Sequence, residues 1–318
     1  MNKTLSLSRM GEKWFNKLIE GIIEAGRTLS YVETYNPNQS DLLHKEIKNS
    51  DKKHFMRQFE KFVRFALPKL NLKDVKIAFD VTENLTWSKK SRHTRASVYE
   101  HQLQSFSFLS VSIIEPYFVP LMSVPYTMFD NLDNLVIDLV EYVKSLPLKI
   151  DLALFDRGFY HAHLIDYLTK INIPYLIFVP KTKAIKRYCE ETESVKYFNH
   201  TMKYLKDKSS FYIRTNIMIR KVEDRYWCYA TNLPPCFSLM LEYKKRWNIE
   251  TGFRIHDEAG IKSKSSLLLI RFYYHLIGML LIILWRLQCQ TNHVVFKKYL
   301  KDVQIFYSRI YVIYPPPL

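Results

Sequence analysis

Apolar and polar positions along the chain follow three successive rhythms. From Met10 to about residue 67 the apolar side chains fall at helical spacing: positions 14, 15, 18, 19, 22 and 23 in MGEKWFNKLIEGIIEAG, then Phe55, Phe59, Phe62, Val63 and Ala66. Pro37 and Asn38 mark a break between them. After Pro68 short strand-like runs take over: VKIAFDVT (75–82), FSFLSVSII (106–114) and YFVPLMSVPY (117–126), the last two separated by a turn at Glu115 and Pro116 as in a hairpin. A helical stretch, NLDNLVIDLVEYVKSL, leads into the strand KIDLALFD, which ends at Asp156; a helix near 160–171 and the strand PYLIFVP follow. Strand, helix, strand, helix, strand predicts a parallel α/β layout.

In the third rhythm, residues 181–232 mix basic side chains with β-formers, as in FYIRTNIMIRKV and RYWCYATNL, and predict a β-rich insertion. A long helix over about 238–258, an apolar helix over 267–288 and a basic tail ending in PPP complete the chain. The domain reading is therefore a helical region over 1–70, an α/β domain over 71–290 with its insertion at about 181–232, and a tail over 291–318.

Composition narrows the partner. At 318 residues with 47% hydrophobic content, the chain can bury a full core and is not a disordered protein. The formal charge is +16, from 47 basic against 31 acidic residues, and the cations are spread along the chain. That distribution suits nucleic acid better than a membrane surface, where one amphipathic helix or tail would carry them; the bland alternative is a basic soluble protein. Phe272–Trp285 is the strongest apolar run, but it is short for a bilayer span and contains His275, so it reads as a buried core helix. The first residues, MNKTLSLSRMGEKWF, show no apolar signal region, and Cys189, Cys228, Cys236 and Cys289 show no zinc-ligand spacing; both fit a cytoplasmic, nucleoid-associated protein. With seven Gly, none of them in a P-loop or GxGxxG pattern, phosphate has to be met by cationic side chains or metal ions.

Three carboxylates stand out by placement: Asp80 inside a strand, Asp156 at the end of another, and Glu250 within the long helix. Ligands of open α/β sheets gather at the carboxyl ends of the strands, so Asp80 and Asp156, 76 positions apart (156 − 80), meet there if their strands are neighbours. Each has a simpler reading by itself: Asp156 caps the next helix, Asp80 pairs with a cation, and Glu250 is a solvated helix residue. Together, on a basic chain, they suit phosphodiester transfer, in which two hard divalent ions (Mg²⁺ or Mn²⁺) about 3.5–4 Å apart serve the attacking and leaving oxygens. Tyr243, Arg246, Glu250, Arg254 and Asp257 fall on one face of the long helix, a stripe that either grips DNA or is laced with ion pairs.

LEYKKRWNIETGFR resembles the Tyr-x2-Arg-x3-Glu segment of DDE transposases from bacterial and archaeal insertion sequences, with Tyr243, Arg246 and Glu250 matching. FDRGFY (155–160) and IAFDVTEN resemble the segments carrying the second and first acids, and the likeness covers about residues 75–288. It implies a ribonuclease-H-like core, a mixed sheet flanked by helices, with the β-rich insertion before the last catalytic helix. The N-terminal helices then become either a cap or a DNA-end-binding module. The implied activity is cut-and-paste strand cleavage and strand transfer on double-stranded DNA, at terminal inverted repeats and target, by a homodimer. Asp80, Asp156 and Glu250 are the implied catalytic metal ligands, holding two Mg²⁺ or Mn²⁺ ions, and Tyr243, Arg246, Arg157, Arg254, Lys262 and Lys264 the DNA contacts. Relatives with this signature form a DNA hairpin and stack a flipped base on an aromatic, for which Trp227 and Trp247 are the candidates. One departure stands out: the family carries Lys seven positions after the Glu, and this chain has Asp257. Either Lys262, Lys264 or Arg254 substitutes, or this is a catalytically inactive, transposase-derived DNA-binding protein.

Overall fold

The computed structural model describes residues 39–87, 90–98, 103–206, 209–236, 238–259, 263 and 265–313. The helices predicted before residue 39 lie outside these residues, as do Lys262 and Lys264. The first described elements are helices α1 (Gln39–Lys48) and α2 (Lys52–Leu70). Asp51 starts α2 by accepting the His54 N–H at 2.8 Å, and Asn71, at φ 52°, ends it in the left-handed region. Phe55, Phe59, Val63, Ala66, Leu67 and Leu70 form its buried face.

Strands β1 (Asp74–Thr86), β2 (Arg95–Ala96), β3 (Gln104–Glu115) and β4 (Val119–Tyr126) come next. β3 is antiparallel to β1 on one side and to β4, with short β2, on the other. The predicted hairpin at Glu115 and Pro116 is thus the β3–β4 pair. After α3 (Leu132–Lys144), β5 (Lys149–Phe155) enters parallel to β1; after α4 (Ala162–Lys170), β6 (Tyr175–Phe178) pairs parallel to β5. Every residue of β3 between its two end positions is buried, because helices cover both faces of the sheet. This mixed, helix-flanked sheet is a ribonuclease-H-like core.

The insertion continues that sheet. It opens with a helix, α5 (Lys183–Glu190), that the β-rich composition did not announce, then forms β7 (Val195–Lys206), β8 (Ser209–Val222) and β9 (Arg225–Thr231). β9 pairs antiparallel to β6, so the strand order runs β3-β1-β5-β6-β9-β8-β7. Sequence periodicity identified the strands but carried no information on which edge they would extend.

The predicted long helix is two: α6 (Leu239–Lys244) and α7 (Trp247–Ala259). At their join the Arg246 N–H bonds the Tyr243 carbonyl (2.9 Å) and the Ile249 N–H bonds that of Arg246 (2.9 Å), the tighter three-residue spacing of a 3₁₀ turn. Helix α8 (Leu268–Cys289) is long and apolar enough to cross a membrane, yet 83% of its most apolar window is buried inside the fold, against α2, β4 and α7. Its buried His275 meets Ser123 of β4 through Nε2 (3.0 Å), and its backbone carbonyl meets His256 Nε2 of α7 (2.9 Å). The segment read as a basic tail contains a further helix, α9 (Phe296–Ile313).

Candidate active site

The last matched pair between parallel strands β1 and β5 is Ala78 with Leu154. Two residues further on the same side of each strand stand Asp80 and Asp156, the latter at the first position beyond β5. Between them Phe79 and Phe155 point to the opposite face and stack. β1 continues past this point with only β3 beside it, so Asp80 sits where the sheet forks. A carboxylate here needs no partner strand's cooperation to reach solvent, while its stem remains walled by β3, where Ser110 is its matched neighbour.

The local chemistry of the two aspartates differs. Asp156 Oδ1 accepts the Arg157 N–H at 2.6 Å and caps the short 3₁₀ turn Arg157–Phe159. Of the two roles that sequence reasoning weighed for Asp156, helix cap or ligand, the structure shows the cap, made on a 3₁₀ turn. Asp80 Oδ1 accepts its own successor's N–H, from Val81 at 3.0 Å. Burial pushes the Asp80 carboxyl up to about 6; Arg246 opposes that rise, and the charges of Asp156 and Glu250 add to it.

Glu250 reaches the same place from α7. Its Oε1 receives Nη2 of Arg246 at 2.7 Å, and Arg246 Nη1 lies 4.0 Å from Asp80 Oδ2. Arg246 is buried and Glu250 is half exposed, so the guanidinium lies under the acids as their counter-charge. Its Nε is buried and has no hydrogen-bond partner among the described residues. Acids from β1 and α7 are joined through one cation.

What holds α6 and α7 against β1 is a four-membered ion network. Lys76 Nζ of β1 lies 2.8 Å from Glu115 and 2.5 Å from Glu242 of α6, and Lys245 lies 2.9 Å from Glu115 and 3.1 Å from Glu242. The side chains are 21–38% exposed, which leaves the network partly shielded from water and from screening by salt. Asn248 Nδ2 adds a bond to the Ile114 carbonyl at 3.2 Å. Sequence reasoning missed all four charges, whose elements are adjacent only in space.

The predicted stripe on one helix face is divided by the break at Lys245 and Arg246. Tyr243 is buried, stacked on Phe178 (centroids 5.7 Å apart) and tilted against Tyr229 (4.9 Å); burial holds its hydroxyl protonated, far above the ordinary phenol range. Arg246 is buried too, so neither residue presents the exposed face the stripe required. Glu250, Arg254 and Asp257 are exposed on α7, and Arg157 is exposed beyond β5. Trp247 is 54% exposed beside Arg246, whereas Trp227 packs edge-on against Phe178.

The all-oxygen set of Asp80, Asp156 and Glu250 suits a hard divalent cation by its chemistry. Among the described residues, no three His, Cys, Asp or Glu side chains stand assembled as a metal site. Between Asp80 and Glu250 stands the Arg246 guanidinium, 4.0 Å from the first and 2.7 Å from the second.

Comparison with known proteins agrees with this architecture. No curated protein matches the chain. The family model described as "Transposase DDE domain" matches residues 133–285, which carry Asp156, Tyr243, Arg246 and Glu250, while Asp80 in β1 lies upstream of the match. Residues 133–285 thus match a transposase DDE domain, the family that the motifs around Asp156 and Glu250 resemble.

Proposed function

We propose that this protein is a transposase that cuts and rejoins DNA strands in a cut-and-paste reaction at Asp80, Asp156 and Glu250, with Mg²⁺ or Mn²⁺ as cofactor. The observation that supports this most is the register of β1 and β5, which stands the two aspartates side by side at the sheet's fork. The three carboxylates would hold the ions, which when bound activate the attacking oxygen and stabilise the leaving one. Asp80, with its raised proton affinity, gains most from a cation arriving beside it. Arg246 positions Glu250 and keeps the carboxylates together in the absence of ions. Tyr243 anchors the α6–α7 join beneath the site through Phe178 and Tyr229. The exposed Arg157, Arg254 and Trp247 are the DNA contacts, the cations taking backbone phosphate and Trp247 an unstacked base. Lys262 and Lys264 join them as candidates by sequence alone.

The test is cleavage of DNA carrying the element's ends, with Mg²⁺ present and absent. Asp80→Ala should bind such DNA with unchanged affinity and yield no nicked or joined product. Full cleavage by that variant would remove Asp80 from the chemistry. The second reading, an inactive DNA-binding descendant, draws on Asp257 at the family's Lys position; it is favoured if the wild-type chain binds the ends and joins none of them.

A further inference from the structure

Strands β7 and β8 extend beyond the rest of the sheet. β9 pairs β8 only from Asn216 onward, so Ser209–Thr215 and their partners Thr201–Lys206, with His200, form a two-stranded ribbon. Its two faces are unlike. On one, Tyr204 donates to Asp166 of α4 (2.9 Å) and Thr215 bonds the Tyr175 hydroxyl (2.9 Å), which fixes the ribbon to the body. On the other, Thr201, Lys203, Leu205, Tyr212 and Arg214 are exposed, Tyr212 by 67%, with Lys203 Nζ 5.8 Å from the Tyr212 ring centroid. The two strands contain Lys196, Lys203, Lys206, Arg214, Arg220 and Lys221, and no acidic residue.

Register relates this exposed row to the acids. Leu154, Leu176, Thr231 and Asn216 are successive partners across β5, β6, β9 and β8 and therefore share a face. Two residues along β5 from Leu154 is Asp156; two and four residues back along β8 from Asn216 are Arg214 and Tyr212. The acids and the basic row thus occupy one face of one sheet. Six residues at about 3.3 Å and three strand spacings at about 4.8 Å separate Asp156 from Tyr212 by roughly 25 Å. At 3.4 Å per step that is about seven base pairs of duplex.

We infer that the Lys203–Tyr212–Arg214 row of the β7–β8 ribbon is a second hold on duplex DNA, gripping the same duplex about seven base pairs from the position that meets the acids. Neither strand carries an acidic residue beside Lys203 or Arg214, although Lys196 pairs with Glu191 at 2.7 Å further along, and a two-stranded ribbon has the width that the major groove of about 12 Å admits. The inference takes its ligand from the function proposed above but concerns binding alone. Lys203 and Arg214 meet phosphate, and Tyr212 braces Lys203 between them.

The experiment is a salt titration of the full chain on an arbitrary duplex of about thirty base pairs, comparing wild type with Lys203→Ala/Arg214→Ala. Loss of two phosphate contacts lowers the slope of log K against log salt by about two and weakens binding about tenfold at physiological salt. Lys203→Arg/Arg214→Lys keeps both charges and retains the wild-type slope. An unchanged slope and affinity in the alanine variant, with an unchanged melting temperature, overturns the inference. So does an unchanged slope accompanied by a change in sedimentation, which would assign the ribbon to contact between copies of the chain. Asp80→Ala, measured alongside, keeps the wild-type slope; if the ribbon variant binds normally while cleavage persists, only the ribbon is refuted, and if wild type binds without cleaving, only the chemistry is.

Discussion

The rings of Phe79 and Phe155 stack with centroids 4.8 Å apart and planes 10° from parallel, each one residue before an aspartate of the candidate site. Both side chains are fully buried. Because adjacent residues of a strand point to opposite faces, this pair locks β1 to β5 from beneath and sets the relative height of Asp80 and Asp156 above. Phe155→Ala is expected to cost about 3–5 kcal/mol in urea unfolding. Phe155→Leu keeps most of the apolar volume and loses the stacking, about 1 kcal/mol. In that milder variant single-turnover cleavage should fall more than DNA affinity does, and equal losses would argue against a register role.

Arg246 is the one cation that touches both Asp80 and Glu250 among the described residues. Arg246→Met removes it and leaves Asp80 facing the charges of Asp156 and Glu250. The variant should lose on the order of 2 kcal/mol at pH 7.5, less than for a fully buried pair because Glu250 is half exposed. Millimolar Mg²⁺ should raise its melting temperature more than that of wild type. An equal Mg²⁺ response in the two proteins would count against the acids as ion ligands.

Asp80 also predicts a pH signature. Its pKa of about 6 in the fold lies above the ordinary carboxylate value of 3.8, so the folded protein holds that proton more tightly than the unfolded chain. The stabilisation is present below about pH 4 and is lost as pH rises through about 6. Asp80→Asn, which imitates the protonated form, should be more stable than wild type at pH 7.5 by on the order of 1–3 kcal/mol. Thermal melts from pH 4 to 8 would show that advantage vanish at the acid end; a constant difference would contradict the burial of an ionised carboxylate.

Gly252 lies two residues after Glu250, and a Cβ there would overlap the Phe118 ring closer than any real contact allows. Gly252→Ala should therefore push α7 away from Phe118, which immediately precedes β4, and destabilise the fold by about 1–3 kcal/mol, even though alanine favours helices. Phe118→Leu in the same chain should recover part of the loss. Differential scanning calorimetry of the two variants and their combination checks this, since additive losses would exclude the steric explanation.

Much of this was legible in the sequence where local chemistry and fold agree. The run LALF followed by Asp156 reads as a buried strand ending in a carboxylate, and the β3–β4 hairpin is announced by Glu115 and Pro116. The break between Lys244 and Trp247 was not, because apolar spacing runs unbroken across it and no Gly or Pro interrupts it. That break turns Arg246 inward, so a residue that looks solvent-facing by helical phase becomes the counter-charge of the site. The Lys76, Glu115, Glu242 and Lys245 network was illegible for a different reason: its members come from three elements whose proximity is a property of the sheet alone.

The pairing of β9 with β6 has a consequence for any attempt to trim the protein. Leu176, Ile177 and Phe178 are hydrogen-bonded on their outer side to Thr231, Ala230 and Tyr229. Excising residues 183–231 as a detachable cassette would bare that row of amides and carbonyls beside an apolar run, an invitation to intermolecular strand pairing. The shortened chain would come out of solution as aggregate, so residues 183–231 are a structural part of the sheet that covers the β6 edge.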